Sequence, residues 1–523
     1  MSQDSVAKII NSPDPLPKYE VTSVPEFIRA VARSQTDEIA LVEAASGRSV
    51  TYGELDAMIG RFAAGITALG FRPGEVLALF APNLPEWPVA ALGTMIAGGT
   101  VTGVNPMYGA RELEHQLRDS GARFVFTVPP FLDTVREAAA NAGCETIILL
   151  GDDAEGAVSF ASVMANTDPE PAVEIRADDL AALPYSSGTT GLAKGVILTH
   201  RSIVANTTQF NAAFDNENEV ILAFLPMFHI FGFTVITLAG LAAGAKLVTI
   251  PNFEPEPFLK AIQDYRVTNL MVVPPIMQFL ADHPLVDEFD LGSVGKIGCG
   301  AASLSAAMER KVAKRLDCLA MQGYGMTESS GVISVSTAER CRAGSSGVLL
   351  PGTEARVVDP ETGGDAAPGT AGEIWFRGPQ AFKGYLNNAE DTAATITDDG
   401  WVRTGDIGHF DADGFVFLTD RLKELIKVKA FQVPPAELEA LLQTHPDVAD
   451  VGVIGRKDDR SGEVPVAYVV PRGELDPEAL KKWVAGQVVE YKQLGYVVIT
   501  DAIPKNPSGK ILRRILREQD SAR

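Results

Sequence analysis

Between Tyr185 and Val196 the chain reads Tyr-Ser-Ser-Gly-Thr-Thr-Gly-Leu-Ala-Lys-Gly-Val, which places four Ser/Thr hydroxyls, three glycines and one lysine within twelve residues. Glycines let backbone N–H groups close on an anion, hydroxyls donate to phosphate oxygens, and Lys194 supplies positive charge. The chemistry this suits is the cradling of a polyphosphate. No Gly-x-x-x-x-Gly-Lys-Ser/Thr string occurs, so it is not a Walker A loop. On composition alone the segment serves equally as a nucleotide loop or a glycine-rich surface turn. Two further candidates are as open when read singly. Lys510 sits in a basic tail with Arg513, Arg514 and Arg517, where a solvated lysine is expected, and His229 lies in the aromatic stretch from Phe228 to Phe231, where core histidines are common.

These residues need a scaffold, and the periodicity supplies one. Leu55, Met58, Ile59, Phe62, Ala63, Ile66 and Leu69 fall on one helical face. The solid apolar run Val76 to Phe80 reads as a buried strand, and Pro85-Glu86 opens a second helix. Phe124 to Val128 and Ile147 to Leu150 follow as strands after further helices, and the rhythm returns at Val220 to Leu225, Ala245 to Ile250 and Asn269 to Val273. Strands alternating with helices predict a parallel sheet covered on both faces. Beyond about residue 340, Gly- and Pro-rich turns separate short β stretches such as Ala355 to Val358 and Glu373 to Phe376. After a break near Asp420 to Lys423, the last hundred or so residues carry a helix (Ala436 to Leu442) and strands (Val451 to Ile454, Val466 to Val470) of their own.

The chain has 523 residues, enough to bury a large core without metal or disulfide staples. Its 45 basic and 67 acidic side chains give a formal charge of −22, which disfavours nucleic acid and anionic lipid as partners. Cys144, Cys299, Cys318 and Cys341 share no CxxC spacing, which excludes a zinc ribbon; all four are expected to be small buried residues in a reducing compartment. The start of the chain lacks the basic and apolar regions of a signal peptide. The apolar run Ile230 to Ala245 is too short to span a bilayer and reads as a buried helix. A cytoplasmic protein with no membrane partner is expected, as a monomer or homodimer.

The segment at 185–196 resembles the signature phosphate loop of the adenylate-forming superfamily, the acyl-CoA synthetases, luciferases and adenylation domains. Other motifs of that superfamily follow in order: Gln322-Gly323-Tyr324-Gly325-Met326-Thr327-Glu328, Thr404-Gly405-Asp406, Asp420-Arg421-Leu422-Lys423 and Pro507-Ser508-Gly509-Lys510. The stretches Pro226 to Ile230 and Leu422 to Lys427 are similar to the 4-coumarate–CoA ligases in particular. The resemblance implies an α/β fold. A large N-terminal domain of several subdomains with doubly wound sheets (1–420) carries the acid and ATP sites, and a small mobile α+β domain (421–523) carries the catalytic lysine.

It also implies two half-reactions: a carboxylate attacks the α-phosphate of ATP to give acyl-adenylate and pyrophosphate, and the thiol of CoA then displaces AMP. Ser186, Ser187, Gly188, Thr189, Thr190 and Lys194 match the triphosphate loop, and Ala301, Gly323 and Tyr324 the adenylate site, with Tyr324 stacked on adenine. Thr327 matches the hydroxyl donor to the α-phosphate, Glu328 the Mg²⁺ ligand, and Asp406 and Arg421 the ribose contacts. Lys510 matches the lysine that bridges carboxylate and α-phosphate as charge builds between them. Lys423 matches the hinge about which the small domain rotates between half-reactions, with Lys427, Lys429, Ala430 and Gln432 on the CoA side.

The acid pocket implied by the same resemblance is walled by His229, Phe231, Val235, Gly298, Ala301, Gly323, Gly325 and Val332. Phe231 and Val235 stand where the coumarate ligases carry tyrosine and serine, so a phenolic acid loses partners and cinnamate or another unsubstituted aryl acid is expected over 4-coumarate. Ala430 replaces a glycine and Asn252 a lysine on the CoA side, which predicts impaired CoA transfer. The alternatives are a medium-chain fatty acyl-CoA ligase, an adenylation enzyme serving a carrier protein, a luciferase, or a dead binding module; the last needs missing motif residues, and Glu328, Asp406, Arg421 and Lys510 are all present.

Overall fold

A capping box starts the first long helix. Thr51 Oγ1 accepts from the Glu54 N–H, Glu54 accepts in turn from the Thr51 N–H, and the helix runs Tyr52–Ala68. The computed structural model describes residues 8–186, 193–302, 304–429, 431–458, 460–506 and 509–521. Leu55, Ile59, Phe62, Ala63 and Ile66 of the expected face are buried, whereas Leu69 lies just past the helix end and is exposed.

Val76–Phe80 is buried along its whole length because it sits inside a largely parallel sheet with neighbours on both sides, Thr100–Gly103 and Ala122–Thr127. Thr146–Leu149 and Val158–Ser159 extend that sheet on one side. On the other, Leu180–Ala182 leads to Lys194–Thr199, which pairs antiparallel with Tyr185–Ser186 so that Ser186 stands opposite Lys194.

A second sheet has six parallel strands among the described residues, in the order Leu319–Tyr324, Lys296–Cys299, Asn269–Val272, Val220–Ala223, Lys246–Thr249 and Ile39–Glu43. The β-rich texture beyond residue 340 becomes an antiparallel sheet that includes Glu354–Val358, Gly372–Arg377, Val402–Phe410 and Val416–Arg421. From Ile426 onward the chain builds its own sheet, with Val448–Asp458 and Gly462–Pro471 as the long pair. This sheet has a separate apolar core around Val433, Leu438, Val451 and Val469.

Two expectations need correction. The buried helix at 230–245 is wound as a π-helix over Phe231–Leu238 before a short α-helix, Ala239–Ala242. Within it, a Cβ at Gly232 would lie 2.1 Å from the Pro226 carbonyl oxygen, so the chain approaches itself too closely there for any side chain. Of the cysteines, only Cys299 is buried; Cys144 and Cys318 are half-buried and Cys341 is exposed, near Glu309 and the Ala320 carbonyl at a strand edge. Among the described residues no helix is long and apolar enough to cross a membrane.

Candidate active site

Four chain segments that leave the second sheet do so at the C-terminal ends of its parallel strands, where open α/β sheets hold their ligands. Val220–Ala223 runs on to His229, Asn269–Val272 to Val273 and Pro275, Lys296–Cys299 to Ala301, and Leu319–Tyr324 to Thr327 and Glu328. The antiparallel sheet then brings Asp406 directly opposite Arg421 on adjacent strands.

That register makes a three-residue cluster. Arg421 Nε lies 3.1 Å from Asp406 Oδ1, and the Tyr324 hydroxyl donates to Asp406 Oδ2 at 2.8 Å. Asp406 is buried, yet both its oxygens are engaged, as a buried carboxylate requires. Burial first, and the Asp406 charge second, hold the Tyr324 phenol well above its usual range. The Asp406 charge in turn raises the Arg421 guanidinium. The charge pair and the flat aromatic face are therefore pre-set.

A second cluster flanks it. Glu328, buried in the short helical turn Thr327–Ser329, accepts from the Ser186 hydroxyl at 3.3 Å and from the Tyr385 hydroxyl at 2.8 Å. Lys194 sits 5.5 Å over the Tyr385 ring and pairs with Asp391 at 2.5 Å. Ser187, Gly188, Thr189 and Thr190 lie outside the described residues, as does Ala430 on the CoA side. Among the described residues no three His, Cys, Asp or Glu side chains group as a metal cage. A lone buried carboxylate beside hydroxyls still fits Mg²⁺, which keeps waters and substrate phosphates as its other ligands.

Lys510 reaches this site from the far end of the chain. Asn506 Oδ1 accepts from the Lys510 N–H at 2.8 Å, and Gly509 is in the left-handed region at φ 78°. Gly509 lies against Pro275 and Val273, at the end of the Asn269–Val272 strand. Burial first, then the Arg421 charge, push the Lys510 ammonium down to about 8, while Asp406 opposes the shift. Its tail neighbours Arg513, Arg514 and Arg517 are paired with Glu439, Glu518 and Glu424, so the tail is not a free basic patch.

His229 is held neutral: burial, with the Lys510 charge as the lesser cause, lowers it to about 4. Its Nδ1 accepts from the Phe231 N–H at 3.2 Å, which leaves the ring proton on Nε2 and makes that atom a donor. The loop that carries it is braced by Asn83, a buried residue with no motif to mark it. Asn83 Nδ2 donates to the carbonyls of Ala223 and Leu225 at 3.1 and 2.9 Å, and its Oδ1 accepts from Met227 at 2.8 Å.

The expected acid-pocket residues fall into two local groups, one of Phe231 and Gly323 about Gly300 and one of Val235, Gly325 and Val332 about Gly331, while Gly298 faces Met271. Phe231 approaches Gly300, where an added Cβ would sit 3.1 Å from the ring. Val235 is buried against Gly331, whose neighbour Val332 is clamped by both amide atoms of Asn206. Gly325 touches the Gly331 carbonyl so closely that an added Cβ would lie 1.8 Å from it. Gly298 backs onto Met271, Gly323 faces Ser334 and Val335 across a strand pair, and Ala301 lies exposed at the strand end with φ 70°. Gly300, Gly331, Asn83, Asn206, Tyr385 and Asp391 were not marked by sequence motifs, because their parts depend on contacts between distant segments.

Lys427 and Gln432 face each other across the Ile426–Val428 and Phe431–Val433 pair and are exposed, as is Lys429. The hinge-position Lys423 is exposed as well, and its charge acts on Asp391. Asn252 is exposed and donates to Glu254 at 3.3 Å.

The fold and this arrangement define an adenylate-forming enzyme, and the chain belongs to the AMP-binding enzyme family. That family's pattern matches residues 28–386, and the AMP-binding enzyme C-terminal domain matches residues 437–510. Within the family the chain is of the 4-coumarate–CoA ligase kind. It is 41% identical over 498 residues to 4-coumarate–CoA ligase 3 of Oryza sativa subsp. japonica, covering 92% of this chain and 89% of the relative. It is 39% identical over 527 residues to the 4-coumarate–CoA ligase of Pinus taeda, covering 97% and 95%. Among solved structures, ATP-bound MatB from Rhodopseudomonas palustris superposes with a TM-score of 0.87 at 30% identity, covering 95% of this chain and 99% of that one.

Proposed function

We propose that this chain is a cytoplasmic, ATP-dependent aryl acid–CoA ligase that forms an acyl-adenylate and then a CoA thioester. The observation that carries this is the Tyr324–Asp406–Arg421 cluster together with the segment of Lys510, whose Gly509 lies against Pro275 and Val273 at the end of a strand of the second sheet. Tyr324 offers a stacking face, Asp406 and Arg421 hold the ribose, and Ser186 and Lys194 flank the loop for the β- and γ-phosphates. Thr327 donates to the α-phosphate, and Glu328 would hold Mg²⁺, which supplies charge neutralisation when bound.

The neutral His229 Nε2–H orients the acid carboxylate. Lys510 places positive charge between carboxylate and α-phosphate, where the transition state gathers negative charge from two anions. We divide the chain at 420/421 into the domain that binds acid and ATP and the lid that carries Lys510. Exposed Lys427, Lys429 and Gln432 are then the face that a rotation about Lys423 brings to the thiol. The named CoA ligases among the relatives favour thioester formation over the fatty-acyl, carrier-loading and transfer-impaired alternatives.

The preferred acid follows from two missing hydroxyls. Phe231 and Val235 offer no partner to a ring OH, and burying an unpaired hydroxyl costs on the order of 1–3 kcal/mol. Cinnamate is therefore expected to exceed 4-coumarate in kcat/KM by about tenfold. A panel of aryl and alkyl acids, read by pyrophosphate release, measures this and tests the activity itself. A clear preference for coumarate would contradict the assigned pocket, and no acid-dependent release with any member would contradict the ligase function.

A further inference from the structure

The phosphate-loop lysine is not left to solvent. Lys194 Nζ lies 2.5 Å from Asp391 Oδ2, with only 20% of the lysine side chain exposed. Asp391 is itself held in place on the first turn of the helix Ala389–Thr395. The Asn388 amide donates to its Oδ2 at 2.7 Å, and the Asp391 N–H donates to Asn388 Oδ1 at 3.0 Å. The same short stretch carries Tyr385, whose ring lies under Lys194 and whose hydroxyl reaches Glu328. One segment thus sets both the loop cation and the carboxylate that faces the phosphates.

We infer that Asp391 is a positioning residue that competes with the polyphosphate of ATP for the Lys194 ammonium. This rests on the reading of residues 185–196 as the triphosphate loop. Asp391 presents one negative charge to Lys194, and a polyphosphate presents several, so nucleotide takes the lysine and Asp391 gives it up. The exchange lowers apparent affinity for ATP, because an existing ion pair must be broken. It equally favours departure of pyrophosphate, because the pair re-forms behind it. AMP lacks the β- and γ-phosphates and is indifferent to the exchange. The Asp391 carboxyl is held below its usual range, chiefly by its hydrogen bond to Lys194 and with a smaller share from the Lys423 charge. The carboxylate is thus ionised at neutral pH and available as a competitor.

The test uses the full chain with Asp391→Asn and, independently, Asp391→Ser. Both variants are expected to lower KM for MgATP and Ki for pyrophosphate by about three- to tenfold. The affinity for AMP, measured by calorimetry, and the KM for the acid are expected to stay within about twofold. In a Lys194→Met background, Asp391→Asn is expected to change KM for ATP no further, since the competed group is gone. An unchanged or raised KM for ATP, an equal shift for AMP, or a full effect persisting without Lys194 would each overturn the inference. Wild-type protein that releases no pyrophosphate with any acid would overturn the ligase function as well. Wild-type activity with unchanged ATP affinity in both variants would overturn the Asp391 role alone.

Discussion

Lys510→Ala is expected to lower acid-dependent pyrophosphate release by about 100- to 1000-fold, the range seen when one donor to a developing anion is removed. The lysine is half-buried, with its neighbour Gly509 against Pro275 and Val273 and the Arg421 and Asp406 charges acting on it. Thioester formation from pre-formed acyl-adenylate and CoA is expected to fall far less, because the thiol displaces AMP without needing charge between two anions. Single-turnover assays of each half-reaction separate the two; an equal collapse of both would contradict the division of labour. A pH profile adds a second check. The working form is the ammonium, and its pKa is lowered to about 8, so kcat/KM for adenylation is expected to decline as pH rises through about 8. In the ternary complex the bound carboxylate and phosphates favour the charged form, so kcat is expected to hold to higher pH. A profile flat from pH 7 to about 10 would argue against Lys510 as the cation.

The second large effect is expected at Asp406. Truncation to alanine removes the acceptor of the buried Tyr324 hydroxyl and the partner of Arg421 together with the proposed ribose contact. Breaking a hydrogen-bonded buried charge pair typically costs 2–5 kcal/mol, so KM for ATP is expected to rise by about 30-fold or more. Asp406→Asn keeps the shape but not the charge, and is expected to recover only part of the loss. KM for the acid, measured at saturating ATP, is expected to change little. An unaltered ATP response in Asp406→Ala would remove the ribose assignment, and thermal melting of the same variant reports the share due to lost packing.

Most of the elements were legible in the chain because their signals are local. The apolar run at 76–80 and the strands at 220–225 and 269–273 each appear within a residue or two of their expected bounds, and the helical face expected at 55–69 lies in the helix Tyr52–Ala68 but for Leu69. The motif residues were legible for a related reason. Gly-rich and hydroxyl-rich strings such as 185–196 are needed in sequence order, since one backbone turn must present several donors to one anion. Even so, only the register of Val402–Phe410 against Val416–Arg421 makes Asp406 and Arg421 partners.

Local sequence could not reveal contacts that depend on two distant segments closing on each other. The bracing of the His229 loop by Asn83 and the capture of Lys194 by Asp391 are of that kind. Neither has a spacing that announces it, because hydrogen-bond partners more than a hundred residues apart share no periodicity. The cysteine expectation failed for the same reason: Cys341 is as apolar as Cys299, but only packing decides that one lies in a strand interior and the other at the surface. What the chain determined alone was the class of chemistry, through residue types and their order. What the tertiary structure decided was which of those residues meet and what charge they carry when they do, because burial and proximity set the state of an ionisable group and no string of residues encodes either by itself.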